Sequence, residues 1–166
     1  SRLPGVRRYV VMVQREVAER LVAASGSKTY GSLSVWMRLH TSLREARPLS
    51  RTIFRPVPRV DSTLLTLDRH VGDELVRREP ELVRAVIDAA FSSRRKTWVN
   101  AVASATGLPK EAVAEAGAAA GLVPGRRAEQ LEPTHFLALS REFLVRGWSP
   151  GGRGSAAGRL PARGTR

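Results

Sequence analysis

The chain has 166 residues, 42% of them hydrophobic, and carries 28 Lys and Arg against 15 Asp and Glu, for a net charge of +13. That is apolar content for one medium domain or two small ones, in a field that attracts polyanions, nucleic acid first. Cysteine is absent, which excludes a disulfide framework, a thiolate metal site and a Cys nucleophile and suits a cytoplasmic protein; no apolar run nears the roughly 20 residues of a membrane span.

The basic residues are nearly all Arg, which can bond phosphate bidentately and stack on bases. A GC-rich genome that inflates Arg and Ala would produce the same composition with no partner. The opening SRLPGVRRYVVMV has a basic flank, but its apolar run is too short for a signal peptide.

In chain order, YVVMV (9–13) reads as a short, buried, parallel strand. QREVAERLVAA (14–24) follows at once as a helix with Val17, Ala18, Leu21 and Val22 on one face, closed by Ser25-Gly26. A strand passing directly into a helix is half of a βαβ unit. YGSLSVWMRL (30–39) reads as a second helix with Leu33, Trp36 and Met37 inward. TSLREARPL (41–49) reads as an edge strand and DSTLLTLDR (61–69) as its antiparallel partner.

From about residue 72 the period becomes helical. EPELVRAVIDAAFSS (79–93) sets Val83, Val86, Ile87, Ala90 and Phe91 in register, and Pro80 suits a first turn. KTWVNAVASAT (96–106) puts Trp98, Val102 and Ala105 on one face. PKEAVAEAGAAAG (109–121) and PTHFLALSREFL (133–144), with Phe136, Leu139 and Phe143 inward, complete four helical patterns. Strands followed by helices predict two units: 1–72, mixed α/β, and 73–146, all-helical. Residues 147–166, rich in Gly, Ala, Pro and Arg, read as a disordered basic tail.

Common catalytic templates fail: the sequence has no P-loop, no HExxH and no Gly-x-Ser-x-Gly elbow. GGRGSAAG (151–158) follows Ser149-Pro150 rather than a strand and reads as a linker. His40, His70 and His135 lack metal-ligand spacing and read as surface or packing residues, so no metal is expected.

Two short stretches carry chemistry. In SSRRKTWVN (92–100), Arg94, Arg95 and Lys96 sit where one helix gives way to the next. At a helix start they would fan out, as suits several phosphates along a backbone, and they oppose the helix dipole. The competing reading is a solvated corner with one Arg paired to Asp88. In FRPVPRVDS (54–62), Pro56 and Pro58 brace a lone aromatic, Phe54, between Arg55 and Arg59. The ring is either a buried plug for the loop or a face held ready to stack on a flat ligand. Composition leaves both open.

MVQREVAERL (12–21), YGSLSV (30–35), FRPVPRVDS, FSSRRKTWVN (91–100) and RAEQL (127–131), in that order, resemble the KsgA family of ribosomal RNA small-subunit adenine dimethyltransferases. The resemblance runs from about residue 3 to 145. It implies a Rossmann-like methyltransferase domain followed by a small helical domain, and methyl transfer from S-adenosylmethionine to two adjacent adenosines of small-subunit ribosomal RNA. Phe54 then occupies the position of the ring that stacks on the flipped adenine. Arg55, Arg59, Arg94, Arg95 and Lys96 become the RNA contacts, with no membrane partner.

The family's Gly-rich cofactor loop, its ribose-binding acid and its Asn-Leu-Pro-Tyr motif do not occur in the sequence; Leu3-Pro4 lacks the Asn and the Tyr. The resemblance therefore implies the C-terminal part of such an enzyme: the last three strands of the sheet and the helical domain. By itself this chain is expected to bind no S-adenosylmethionine and to be inactive. Its YVVMV strand is expected to have one open edge through which the chain associates. Other readings are a non-catalytic RNA-binding module and a helix-turn-helix DNA binder using 79–121; the latter lacks an exposed basic-polar recognition face.

Overall fold

The computed structural model describes residues 5–150, and their contacts divide the chain between Gly72 and Asp73 into two compact units. The first runs β1 (Arg8–Gln14), α1 (Arg15–Val22), α2 (Ser32–His40), β2 (Thr41–Leu49), a 3-10 turn (Arg51–Ile53) and β3 (Ser62–Arg69). The sheet order is β1-β3-β2, with β3 antiparallel to both neighbours. The last strand in sequence is thus the middle one in space.

Alternation along β3 explains the layering. Thr63, Leu65 and Leu67 are buried, and the two leucines pack on Ala18 and Leu21 of α1. Tyr9, Val11 and Val13 of β1 join the same face. Fully burying a leucine such as Leu65 is worth roughly 1.5–3 kcal/mol. The expectation of a buried parallel strand at 9–13 is corrected. β1 pairs antiparallel with β3, lies at the sheet's edge, and leaves Val10 and Met12 exposed.

The inward face expected for α2 is corrected in part. Ser34, Val35 and Leu39 are its buried residues, Leu33 is exposed and Trp36 is half-buried, while Met37 packs against the Leu65 and Leu67 cluster as expected. Ser34 can be buried because its hydroxyl donates to the Arg20 carbonyl and accepts from the Gly31 amide. The histidines have local partners: His40 Nδ1 is 2.8 Å from the Trp36 carbonyl oxygen and His70 Nε2 is 3.3 Å from that of Arg38. His135 Nδ1 accepts from the Glu132 amide at 2.9 Å.

The second unit holds α3 (Glu74–Arg78), α4 (Pro80–Phe91), α5 (Trp98–Thr106), α6 (Lys110–Ala119) and α7 (Pro133–Val145). α3 escapes the helical-period reading because it spans barely one turn; the Asp73 side chain caps it by accepting from the Leu75 amide at 2.9 Å. Val83, Val86 and Ile87 of α4, Trp98 and Val102 of α5, Val113 of α6 and Phe136, Leu139 and Phe143 of α7 form the buried set of this unit. Ala105 is exposed rather than inward, since α5 ends one residue later at a left-handed Gly107 (φ 73°). Gly117 admits the indole of Trp98: a Cβ there would lie 2.1 Å from Trp98 Cη2.

Order extends past the expected start of the tail. Gly147 takes φ 71°, the Trp148 amide donates to the Phe143 carbonyl at 2.9 Å, and the Trp148 ring meets Phe143 edge-on at 5.3 Å. The linker expected at 151–158 and the rest of the tail lie outside the described residues, as does Leu3-Pro4.

Candidate functional site

The Phe54 loop connects β2 to β3, and its base is closed by the last ladder pair, Leu49↔Ser62. Asp61 ties both sides of that base. Its Oδ1 accepts from the Arg51 amide at 3.0 Å, and its carbonyl accepts from the Arg15 amide, at the start of α1, at 3.0 Å. Arg51 reaches across the loop as well, donating from Nη1 to the Arg59 carbonyl at 3.3 Å. Ser50 caps the 3-10 turn that leads to the ring by accepting from the Thr52 amide at 3.3 Å. The Phe54 amide closes that turn on the Arg51 carbonyl at 3.3 Å, and the Arg55–Pro56 peptide is cis.

Phe54 itself is half-buried, neither a fully enclosed plug nor a free side chain. Around it Ile53, Val57 and Val60 are exposed, so the loop presents an apolar surface flanked by the exposed side chains of Arg55 and Arg59. A rigid loop with one aromatic face, apolar neighbours and cations suits a flat, anionic-backboned ligand. Sequence reasoning missed Asp61 as the tie and the three aliphatic neighbours. Asp61 was visible only as a turn residue opening a strand.

In the second unit, Arg94, Arg95 and Lys96 occupy the turn between α4 and α5, not the helix start. The helix begins after them, with the Thr97 hydroxyl accepting from the Asn100 amide at 3.4 Å. They therefore project from a turn and do not oppose the dipole from within a first helical turn. The Trp98 amide donates to the Arg126 carbonyl at 3.0 Å and its indole Nε1 to the Val123 carbonyl at 2.9 Å. Those two bonds bring the 123–127 turn beside the 94–97 turn, adding the exposed Arg126 and Arg127 to the cations there. Asp88, the partner considered for one of the turn arginines, pairs with Arg84 at 3.6 Å, one turn earlier on α4. Arg126 and Arg127 were overlooked. The signal was available: the Arg-Arg pair of 94–95 recurs directly after the Pro124-Gly125 turn.

A groove of about 550 Å³ opens on the helix-covered face of the sheet, between α1 and β2. Ala18, Val22, Ala46, Pro48 and Leu65 line it, with Arg15, Glu19 and Asp61 at the rim. Among the described residues no group of three or more His, Asp or Glu side chains could hold a metal ion, and no helix is long and apolar enough to cross a membrane.

Residues 1–143 match the family model described as ribosomal RNA adenine dimethylase. The chain is similar to the ribosomal RNA small subunit methyltransferase A of Leifsonia xyli subsp. xyli, 44% identical over 143 residues that cover 84% of this chain and 50% of that protein. The Geobacter metallireducens protein of the same name is 39% identical over 141 residues, covering 84% of this chain and 51% of its own length. A dimethyladenosine transferase from Plasmodium falciparum superposes with a TM-score of 0.73 at 24% identity, over 89% of this chain and 61% of that one. The 23S rRNA methyltransferase ErmE superposes with a TM-score of 0.52 at 20% identity, over 85% and 56%. The chain spans about half the length of the curated relatives it matches. Both the Phe54 loop and the two cationic turns lie inside the matched stretch, and on that match the chain belongs to the ribosomal RNA adenine dimethylase family.

Proposed function

We propose that this chain supplies the RNA-facing part of an adenine dimethyltransferase acting on adjacent adenosines of small-subunit ribosomal RNA, within the cytoplasm and on the RNA or a pre-ribosomal particle. The family match over residues 1–143 carries the reading, because it includes the aromatic loop and the cationic turns together. Phe54 is the stacking face for the target adenine. Extruding a base costs a few kcal/mol, and stacking on an aromatic ring recovers about 1–3 kcal/mol. Arg55 and Arg59 take phosphate beside that base. Arg94, Arg95 and Lys96, joined by Arg126 and Arg127, bind backbone elsewhere along the RNA.

Family members use S-adenosylmethionine as methyl donor. When bound, it supplies the methyl group that the adenine amino nitrogen accepts. In this reading residues 5–150 hold no cradle for it. The β1-to-α1 passage has no intervening loop and no glycine, and its Arg15 amide is already taken by the Asp61 carbonyl. In this reading the donor is held by segments that the relatives have outside the matched stretch. Isothermal titration of this chain with S-adenosylmethionine is expected to show no binding at micromolar concentration.

A second reading, a non-catalytic RNA-binding module, is favoured by the cations gathered on the 94–97 and 123–127 turns. Translating the DNA upstream of Ser1 separates the two. An in-frame Gly-rich loop and Asn-Leu-Pro-Tyr establish the enzyme, and a stop codon establishes the module. In the complete enzyme, Phe54→Ala is expected to cut methylation at least a hundredfold while donor affinity stays constant; unchanged turnover would return Phe54 to a loop plug.

A further inference from the structure

α1 roofs only part of the sheet. Ala46 and Pro48 of β2 are exposed, although they stand directly across from Leu65 and Thr63, which are buried. The groove of about 550 Å³ between α1 and β2 is the space left over them, a size that takes one small flat ligand. It shares Leu49, Ser50 and Asp61 with the base of the Phe54 loop.

The polar groups of the groove select what can enter. Thr63 is only 8% exposed, yet its hydroxyl makes no hydrogen bond among the described residues. No buried side-chain oxygen or nitrogen of those residues is sealed off without a partner, so that hydroxyl opens into the groove it lines. Alternation along an extended chain puts Asp61, two residues earlier, on the same side, and Asp61 also lines the groove. Its Oδ1 holds the Arg51 amide, which leaves Oδ2 with no partner among the described residues. At the rim, Arg15 is already paired with Glu19 at 3.0 Å. Two carboxylates beside one paired guanidinium repel a phosphate. They suit an uncharged ring that offers an N–H donor to Asp61 and an acceptor to Thr63.

We propose that the groove binds an unpaired adenine, the base next to the one stacked on Phe54. Adenine carries its amino donor beside a ring-nitrogen acceptor on one edge. Asp61 Oδ2 accepts from the amino group and the Thr63 hydroxyl donates to the ring nitrogen. Ala18, Ala46, Pro48 and Leu65 give the ring its apolar surroundings. The phosphate stays outside, with the exposed Arg55 and Arg59 of the adjoining loop. Inosine, which has an acceptor oxygen where adenine has the amino group, turns that oxygen against the Asp61 carboxylate and is rejected. The inference deepens the adenine dimethyltransferase reading, on which the choice of an RNA base rests; the groove and the Phe54 ring can nevertheless fail separately.

Amide chemical-shift titration of the chain with adenosine 5′-monophosphate tests it, with inosine 5′-monophosphate and ribose 5-phosphate in parallel. The adenine nucleotide is expected to move the Ala18, Ala46 and Thr63 amides, and the inosine nucleotide to bind about tenfold more weakly. Ribose 5-phosphate should leave all three in place. Thr63→Val should weaken adenosine monophosphate by about three- to tenfold without lowering the melting temperature, because the hydroxyl bonds nothing in the protein. Ala46→Phe, at an exposed position, should fill the groove and abolish the shifts at Ala18 and Thr63. Phe54→Ala should leave the groove shifts intact. The dinucleotide adenylyladenosine should bind about tenfold or more tighter than the mononucleotide and move the Phe54 amide too, a gain that Phe54→Ala removes. Shifts confined to the Phe54 loop would overturn the proposal and leave the stacking ring standing. Equal binding of the inosine nucleotide would also overturn it, as would groove shifts with ribose 5-phosphate, which would mark a phosphate contact only. A dinucleotide no tighter than the mononucleotide would overturn the assignment of the groove to the neighbouring base.

Discussion

Asp61 sits where the Phe54 loop returns to the sheet, and its two bonds join three segments: the loop's start at Arg51, the beginning of α1 at Arg15 and β3 itself. An exposed side chain that only bonds a backbone amide contributes about 1 kcal/mol, so its loss loosens the loop without threatening the fold. Asp61→Ala is expected to speed hydrogen exchange at the Arg51 amide while the Leu65 and Leu67 amides in the middle strand are unaffected. Asp61→Asn retains an acceptor oxygen and should behave as the natural residue. Equal acceleration at all three amides in the alanine variant would show that Asp61 supports the sheet rather than the loop. In the sequence, Phe54 and its two prolines stand out by type. The tie does not, because an aspartate opening a strand reads only as turn chemistry. The cations divide the same way: a run of three at 94–96 is conspicuous, whereas Arg126 and Arg127 become their neighbours only through the Trp98 bonds.

At the level of elements, Asp68 links the whole sheet. Arg8 Nε on β1 donates to Oδ1 at 2.6 Å, and Arg44 Nη1 on β2 approaches Oδ2 at 3.4 Å. The Arg8 hydrogen bond is the main cause that holds the Asp68 carboxyl below its ordinary value of 3.8; desolvation opposes it, and Arg44 reinforces it. A carboxyl depressed in the folded state contributes stability that is present above its unfolded value and is lost as pH falls through its folded one. The urea midpoint should therefore decline as pH falls below about 4, and Asp68→Asn should flatten that decline. Because the pair is solvent-accessible, high salt should flatten it too. A variant whose acid limb matches the natural chain would remove Asp68 from the account. The elements themselves were largely legible: β2, β3 and five helices, α1 and α4 to α7, follow from period and punctuation. What misled was β1, whose continuous apolar run looks like burial on both faces, and α2, whose buried Ser34 is invisible to a hydrophobic period.

For the whole molecule, the net charge of +13 has two explanations, a genome-wide arginine bias or a polyanion surface, and salt dependence separates them. Each phosphate contact releases counterions and steepens the fall of log K with log salt by about 0.7 to 0.9. A bias without a partner would spread weak contacts evenly, so removing any three arginines would matter equally. A built surface would concentrate them on the paired turns of the second unit, where Arg95, Arg126 and Arg127 are exposed. Substituting those three by alanine is expected to make the salt slope for a structured ribosomal RNA hairpin shallower by about 2. Substituting Arg77, Arg84 and Arg20, exposed on helices away from the two turns in sequence, should leave the slope nearly unchanged. Fluorescence anisotropy between 50 and 200 mM salt, about the range over which phosphate-driven binding weakens most visibly, reads both. Duplex DNA run in parallel tests the helix-turn-helix reading, which requires DNA to be preferred at every salt concentration. Equal slopes for the two triple variants would mean that the turns form no dedicated surface and that composition alone makes the chain basic.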